Sequence, residues 1–103
     1  MILITGTYHW REGARFDHEL YEREHLVLTR ELLTPLGLLR LEALRPLGGS
    51  APRPGDVVAV TQACFASLEQ AQAALSQAGA QLAAHVQRYT DLQPQLRLNE
   101  LKS

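Results

Sequence analysis

Residues 17–33, with the sequence DHELYEREHLVLTRELL, predict the first helix of the fold. Asp17 suits the N-cap because its carboxylate can accept a hydrogen bond from a free backbone N–H in the first turn. Phe16 and Tyr21 have the spacing of a hydrophobic staple, and Pro35 marks the end of the helix. At about 100° per residue, one stripe carries the side chains that we expect to face inward, namely Tyr21, His25, Leu28 and Leu32.

His25 is unusual because a titratable ring falls on this inward stripe, one turn after Tyr21. It is either a core residue bonded to a backbone carbonyl or the working group of a pocket. A neutral imidazole near pH 7 can take a proton from an acidic carbon or a phenol. The Tyr21 phenol, one turn away, could then bind a developing enolate oxygen. The residues alone leave both interpretations open.

The pattern on either side of this helix predicts a ferredoxin-like α+β fold. The predicted strands cover residues 1–10, 38–47, 56–65 and 92–101, and a second helix runs from Ser67 to about Arg88. Ser67 and Gln70 form a capping box, and residues 48–55 are a loop rich in glycine and proline. Because crossovers between strands are right-handed, this βαββαβ order gives a four-stranded antiparallel sheet with both helices on one face.

One face of such a sheet stays uncovered, and this face predicts a homodimer. The first and third strands carry apolar residues on both of their faces. A bare apolar sheet face on a small monomer usually marks a partner surface. We therefore expect a homodimer in which two copies pack sheet against sheet.

Composition restricts the function further. The 103 residues predict a single domain covering residues 1–103, and the net charge is −1. This balance argues against a nucleic-acid partner, which would need clustered lysine and arginine. No apolar run approaches the length of a membrane helix, and we expect no membrane association. The single cysteine, Cys64, excludes an internal disulfide, which fits a cytoplasmic protein.

The chain resembles the EthD family of dimeric α+β barrel proteins. The resemblance is carried by short motifs in the right order, namely Glu12-Gly13, Phe16-Asp17, Tyr21, His25-Leu26, Pro35 to Leu38, Phe65 to Glu69, Tyr89 to Asp91 and Gln93-Pro94. It implies the predicted fold and the dimer. Similar barrels include isomerases, cyclases and oxygenases that act without a bound cofactor on small, often aromatic or lactone-like molecules. The chain differs from the family that it resembles at one position, since relatives usually carry Asp where this chain carries His85.

Several residues are candidates for the site. We predict His25 and Tyr21 as catalytic residues. No histidine pair has the spacing of a metal site with a third ligand, so no metal is expected. Cys64 has no activating base beside it and is expected to be inert. The predicted binding residues are Trp10, His9, Phe65, His85, Tyr89 and Asp91.

These residues and the resemblance together predict a small-molecule enzyme without a cofactor. It would catalyse proton transfer, isomerisation or cyclisation, or cofactor-free oxidation of a small hydrophobic compound, in degradation or secondary metabolism. The reaction would take place in a pocket between the helices and the sheet. The alternative is a homodimer that binds or carries a small ligand without changing it. A pocket lined with tyrosine and histidine suits both functions.

Overall fold

The computed structural model describes residues 1–48 and 50–102, so Gly49 of the predicted loop and Ser103 lie outside the described residues. The order of elements is the predicted one. The strands β1 to β4 are Ile2–His9, Arg40–Leu44, Val57–Phe65 and Gln95–Glu100. The second and fourth strands are shorter than the sequence predicts. The first helix comprises His18–Leu20, Tyr21–His25 and Leu26–Leu33, the second is Leu68–His85, and short 3-10 turns follow at Thr34–Leu36 and Val86–Arg88.

The four strands form one antiparallel sheet in the order β2-β3-β1-β4. Gly6 lies at the centre of the sheet, paired with Thr61 on one side and Leu96 on the other. Both helices pack on the face that carries Ile4. Residues from both helices meet the sheet there in one core, formed by Ile4, Leu33, Ala63, Phe65, Ala71, Ala74 and Ala78. The ferredoxin-like α+β fold predicted from the sequence is confirmed.

The first helix begins as predicted but widens in its second turn. The Asp17 carboxylate accepts the N–H of Leu20 at 3.1 Å, which caps the helix. Residues Tyr21–His25 then form a π turn, in which the N–H of Leu26 donates to the carbonyl of Tyr21, five residues back. The prediction of a uniform α-helix is wrong for this turn.

The π turn changes which residues face inward. The buried positions of the helix recur at a strict spacing of four and are Tyr21, His25, Thr29 and Leu33. Leu28 and Leu32, predicted on the inward stripe, are only half-buried. In a uniform α-helix, residues four apart drift by about 40° at each step. The wider turn opposes this drift and keeps Tyr21 and His25 on the sheet side.

The start of the first helix is tied to the chain that follows the second helix. Phe16 and Thr90 form an isolated antiparallel bridge. The N–H of Asp17 donates to the carbonyl of Tyr89 at 2.7 Å. The hydroxyl of Thr90 donates to the carbonyl of Arg15 at 2.5 Å. These bonds bring Tyr89 and the end of the second helix against Tyr21 and His25, although more than sixty residues separate them.

The second helix packs closely on the sheet because its inward face consists of small residues. Ser67 caps it by accepting the N–H of Gln70 at 3.2 Å. Ala71, Ala74 and Ala78 are buried against the core. Across the part of the chain that the structure describes, no helix is both long and apolar enough to cross a membrane.

The face of the sheet opposite the helices is open. By register and strand alternation, its central positions are uncharged and are Leu3, Thr5, Thr7, Val60, Gln62 and Cys64. The flanking strands place charged side chains, such as Arg40 and Arg97, on the same face. The open face is therefore more polar than the sequence predicts, since threonine and glutamine interrupt its apolar positions.

Candidate active site

A cavity of about 130 Å³ lies between the sheet and the two helices. Most of its wall is aliphatic. Polar side chains enter it at only a few positions, which belong to Tyr8, His25, Thr29 and Thr61. The remaining wall is formed by Ile4, Gly6, Leu33, Ala63, Ala74, Leu75, Gly79, Leu82, Ala83, Val86, Pro94 and Leu96. A cavity with this lining suits an apolar ligand that is oriented by a few polar groups.

His25 is the only imidazole among the described residues that line this cavity. Its side chain is 93% buried, since only 7% of its surface is exposed. Nδ1 lies 3.0 Å from Nδ1 of His85, and the ring stacks on Tyr21 with the centroids 6.0 Å apart. Among the described residues, Nε2 has no hydrogen-bond partner. Every fully buried side-chain nitrogen or oxygen in this part of the chain does have a partner. Nε2 is therefore not fully buried, and it belongs to a side chain that lines the cavity.

Burial sets the charge of His25. It lowers the pKa of His25 to about 4, and the neighbouring His85 ring acts in the same direction. At neutral pH the imidazole is consequently uncharged and has one ring nitrogen with a free lone pair. Among the described residues the ring of His25 is not bonded to a backbone carbonyl, because the partner of Nδ1 is another imidazole.

His85 lies behind His25 and does not line the cavity. It is the last residue of the second helix, and its Nε2 lies 3.9 Å from a carboxylate oxygen of Glu24. Glu24 is held in turn by Arg88, whose Nε lies 3.0 Å from the same oxygen. Within residues 1–48 and 50–102, no group of three histidine, cysteine, aspartate or glutamate side chains could hold a metal ion.

Tyr21 reaches the cavity through a second residue. Its hydroxyl forms a short hydrogen bond with the hydroxyl of Thr61 on β3. Thr61 lines the cavity, whereas Tyr21 is not part of its wall. Burial raises the pKa of Tyr21, so the phenol keeps its proton and can donate it to Thr61. The Thr61 hydroxyl is then free to donate to a ligand.

Tyr89 has a similar relation to Tyr8. The two hydroxyl oxygens lie 2.5 Å apart, and Tyr89 is fully buried whereas Tyr8 lines the cavity. Burial raises the pKa of both phenols, which keeps them protonated. Tyr8, Tyr21, His25 and Tyr89 thus form one aromatic cluster, together with Phe16.

Three polar cavity residues were not predicted from the sequence: Tyr8, Thr29 and Thr61. The alternation of β1 already placed Tyr8 on the same face as Ile4, and this signal could have identified it. Thr61 pairs with Gly6, a register that no sequence pattern reveals. Thr29 follows His25 by four residues, and its hydroxyl donates to the His25 carbonyl at 2.7 Å.

Two predicted binding residues belong to the protein core and not to the cavity wall. Phe65 is fully buried in the core cluster around Ile4. Trp10 is half-buried and packs against the cluster that contains Tyr8 and Tyr21. That Phe65 and Trp10 contribute to binding stays a prediction. Any such contribution would act through the side chains that line the cavity.

His9 and Asp91 lie at the surface. The His9 ring faces the carbonyl of Gly55 at 3.4 Å. The Asp91 carboxylate accepts the backbone N–H of Arg15 at 2.9 Å, and this bond lowers the pKa of Asp91. Neither side chain lines the cavity, so the structure does not bring them together with His25 and Tyr21.

Fold and cavity define a class of protein, a ferredoxin-like α+β domain with an apolar pocket and an internal histidine pair. A structure of an EthD-like protein from Ralstonia eutropha JMP134 is similar, with a TM-score of 0.80 and 31% identity over 96% of this chain and 89% of that one. This chain belongs to the EthD family. No protein-family model and no curated protein sequence matches it.

More distant structures share the fold. An ethyl tert-butyl ether D family protein from Bacillus halodurans C-125 has a TM-score of 0.67 and 19% identity over 99% of both chains. SnoaB from Streptomyces nogalater, described as a cofactor-independent oxygenase, has a TM-score of 0.71 and 14% identity over 99% of this chain and 93% of that one. At these identities the likeness concerns the fold alone.

Proposed function

We propose that this protein is a small-molecule enzyme in which His25 acts as a general base. The observation that carries the proposal is an uncharged imidazole that lines an apolar cavity and whose Nε2 has no hydrogen-bond partner among the described residues. A base of this kind can remove a proton near neutral pH because it is not already protonated. Low polarity around it strengthens its interaction with any charge that develops on a substrate.

The cavity suggests the kind of substrate. An apolar cavity of about 150 Å³ holds a molecule of the size of benzene. At about 130 Å³, the cavity here suits one ring or a ring-sized part of a larger compound. We propose a small hydrophobic substrate, either aromatic or lactone-like, with an acidic C–H or a phenol directed at His25.

The hydroxyls around the cavity suit the charge that proton removal creates. When Nε2 takes a proton from carbon, negative charge moves to the substrate oxygen as an enolate or phenolate. Hydroxyl donors aimed at that oxygen stabilise it. Thr61 and Tyr8 are placed for this task, and Tyr21 and Tyr89 support them by hydrogen bonds from behind. Isomerisation or cyclisation follows when the anion is protonated elsewhere or closes a ring.

Oxidation without a cofactor is compatible with the same anion, because an electron-rich enolate can transfer electrons directly to dioxygen. SnoaB, of similar fold, is described as a cofactor-independent oxygenase.

A non-catalytic binding protein is the second candidate function. The observation in its favour is the largely aliphatic wall, which supplies affinity without chemistry.

A test reaction with a single proton transfer separates the two candidates. Nitrobenzisoxazole is a small bicyclic compound whose C–H proton is removed as its N–O bond breaks, which gives a coloured cyanophenolate. We expect turnover by the wild-type protein, and a loss of roughly a hundredfold or more in His25→Gln. His18→Gln removes a histidine that does not line the cavity and is the matched control. Binding of the probe without turnover would establish the non-catalytic function.

We also propose that two copies form a homodimer through the open face of the sheet. Its central positions, including Leu3, Thr5 and Val60, are uncharged, and both flanking strands carry arginine at their margins. A central charge would be buried without a partner in such an interface. Val60→Glu should therefore give a monomer in sedimentation equilibrium, whereas Gln72→Glu on the exposed side of the second helix should not.

We propose that the protein is located in the cytoplasm, because the free thiol of Cys64 is typical of a reducing compartment. The thiol is buried and unpaired, with Met1 as its sulfur neighbour at 3.3 Å. A free cysteine is usual where glutathione keeps thiols reduced. Fractionation of the cells that produce the protein tests this location.

A further inference from the structure

The His25–His85 contact restricts which ring nitrogens of the two histidines can carry a proton. The two Nδ1 atoms lie 3.0 Å apart, and the rings are nearly parallel with an angle of 20°. A hydrogen bond between two ring nitrogens needs one N–H and one lone pair. One Nδ1 of the pair must therefore be protonated and the other must be bare.

The surroundings of His85 decide where its own proton lies. Its Nε2 lies 3.9 Å from a carboxylate oxygen of Glu24, an ionic contact too long for a hydrogen bond, and Arg88 holds that carboxylate in place. The remaining titratable neighbour is Tyr89, whose ring centroid lies 6.4 Å away and whose phenol is protonated. The carboxylate favours a proton on Nε2 of His85, so a neutral His85 has a bare Nδ1.

Two states of the pair follow. With His85 neutral, its Nδ1 accepts, so His25 carries its proton on Nδ1 and presents a lone pair on Nε2 to the cavity. With His85 protonated on both nitrogens, its Nδ1 donates. His25 then accepts on Nδ1 and carries its own proton on Nε2. One added proton on His85 turns His25 from a base into a hydrogen-bond donor, and His25 stays neutral in both states.

We propose that His85 is a positioning residue that selects the tautomer of His25 and thereby switches the cavity between a base and a donor. An added proton is placed on His85 on geometric grounds, because the Glu24 carboxylate lies 3.9 Å from its Nε2 whereas the His25 ring is buried. The inference about the tautomer stands on the geometry alone. Its effect on catalysis rests on the proposed function.

The tautomer can be observed without any ligand. Long-range ¹H–¹⁵N spectra of the ¹⁵N-labelled protein distinguish a protonated ring nitrogen from a bare one. In the wild type we expect His25 to be protonated on Nδ1 at alkaline pH, and to move its proton to Nε2 as His85 becomes charged. A His25 tautomer that stays the same while His85 titrates would overturn the proposal.

His85→Asp removes the switch. A carboxylate only accepts, so it fixes the proton of His25 on Nδ1 and keeps the lone pair on Nε2 at every pH at which Asp is ionised. We expect no change of tautomer in this variant, and the wild-type change in the control His18→Gln, at a histidine that does not line the cavity. A variant His25 that still changes its tautomer would contradict the proposal. Should the variant not fold, the wild-type titration decides alone.

Turnover of nitrobenzisoxazole gives the second readout. In the wild type, kcat should fall over the pH range in which the spectra show the proton of His25 on Nε2, because the base form of His25 is lost. In His85→Asp this fall should move to lower pH with little change in KM. If the tautomer of His25 changes but no turnover is seen, the proposed enzymatic function is rejected and the tautomer switch stands. If turnover is seen but the tautomer stays fixed, the switch is rejected and the enzymatic function stands.

Discussion

The hydroxyl oxygens of Tyr8 and Tyr89 lie 2.5 Å apart, although one residue belongs to the first strand and the other follows the second helix. The two rings meet edge to face at a centroid distance of 6.1 Å. Tyr8 lines the cavity, and Tyr89 is fully buried behind it. The pair therefore joins the sheet to the end of the second helix with one polar contact inside an aromatic cluster.

Removal of the two hydroxyls should have unequal effects on stability. Tyr8→Phe leaves the buried Tyr89 hydroxyl without a partner, which costs about 1–3 kcal/mol of unfolding free energy. Tyr89→Phe should cost less, because the Tyr8 hydroxyl can still reach water or a ligand in the cavity. Urea unfolding of both variants tests this order, and equal losses would contradict it.

His25 should make the protein less stable in acid. Its pKa is about 6.5 in the unfolded chain and is lowered to about 4 in the folded one. Between these values the unfolded state binds more protons, so stability that is present above about pH 6.5 is lost as the pH falls towards about 4. At roughly 1.4 kcal/mol per pH unit of difference, the loss approaches about 3 kcal/mol.

The measurement is urea unfolding of the wild type and of His25→Phe across this pH range. Phe keeps an aromatic ring at the position but cannot titrate. The difference between the two proteins isolates the contribution of His25 from that of the acidic residues. Parallel stability curves for the two proteins would show that His25 contributes nothing to the pH dependence.

Gly79 offers a way to fill the cavity from the second helix. It lines the cavity, and a Cβ built on it would meet no heavy atom within 4 Å. Gly79→Ala should stabilise the helix by about 0.5–1 kcal/mol. Gly79→Leu should place its side chain in the cavity and weaken the binding of phenol, as followed by calorimetry. Ala80→Leu, on the exposed side of the same helix, should leave binding unchanged.

The cap at Asp17 should matter more than the other charges of the first turn. Its carboxylate bonds the N–H of Leu20, and Asp17→Ala should cost about 1 kcal/mol. Asp17→Asn keeps an acceptor oxygen and should restore most of the loss. Thermal unfolding compares the two variants, and an equally unstable Asn variant would refute the cap as the cause.

Local patterns were sufficient to predict the fold. The cap at Asp17, the cap at Ser67 and the order of strands all follow from neighbouring residues, and the structure confirms them. The inward face of the first helix was predicted only in part. Helical periodicity placed Leu28 on this face, but the π turn brings Thr29 there, and a wide turn leaves no periodic signal.

The sequence predicted the central residue of the candidate site, His25, but not most of the side chains around it or their contacts. Tyr21 and His25 are one turn apart, so their proximity follows from spacing. His25 and His85 are sixty residues apart, and their contact depends on how the end of the second helix meets the first. The same holds for Tyr21 and Thr61, which the sheet register brings together.

The π turn also makes this site sensitive to the length of the chain. The first helix is fixed at its start by the bond from Asp17 to Tyr89 and at its end by Leu33 in the core. Because both ends are fixed, one residue more than the α-helical repeat allows must be accommodated by a wider turn. This wider turn is the π turn that contains Tyr21 and His25. Loss of one exposed residue such as Arg23 would tighten this turn and present a different side chain to the cavity. Insertions and deletions in this helix, more than substitutions, are thus the changes by which homologous proteins could exchange one cavity chemistry for another.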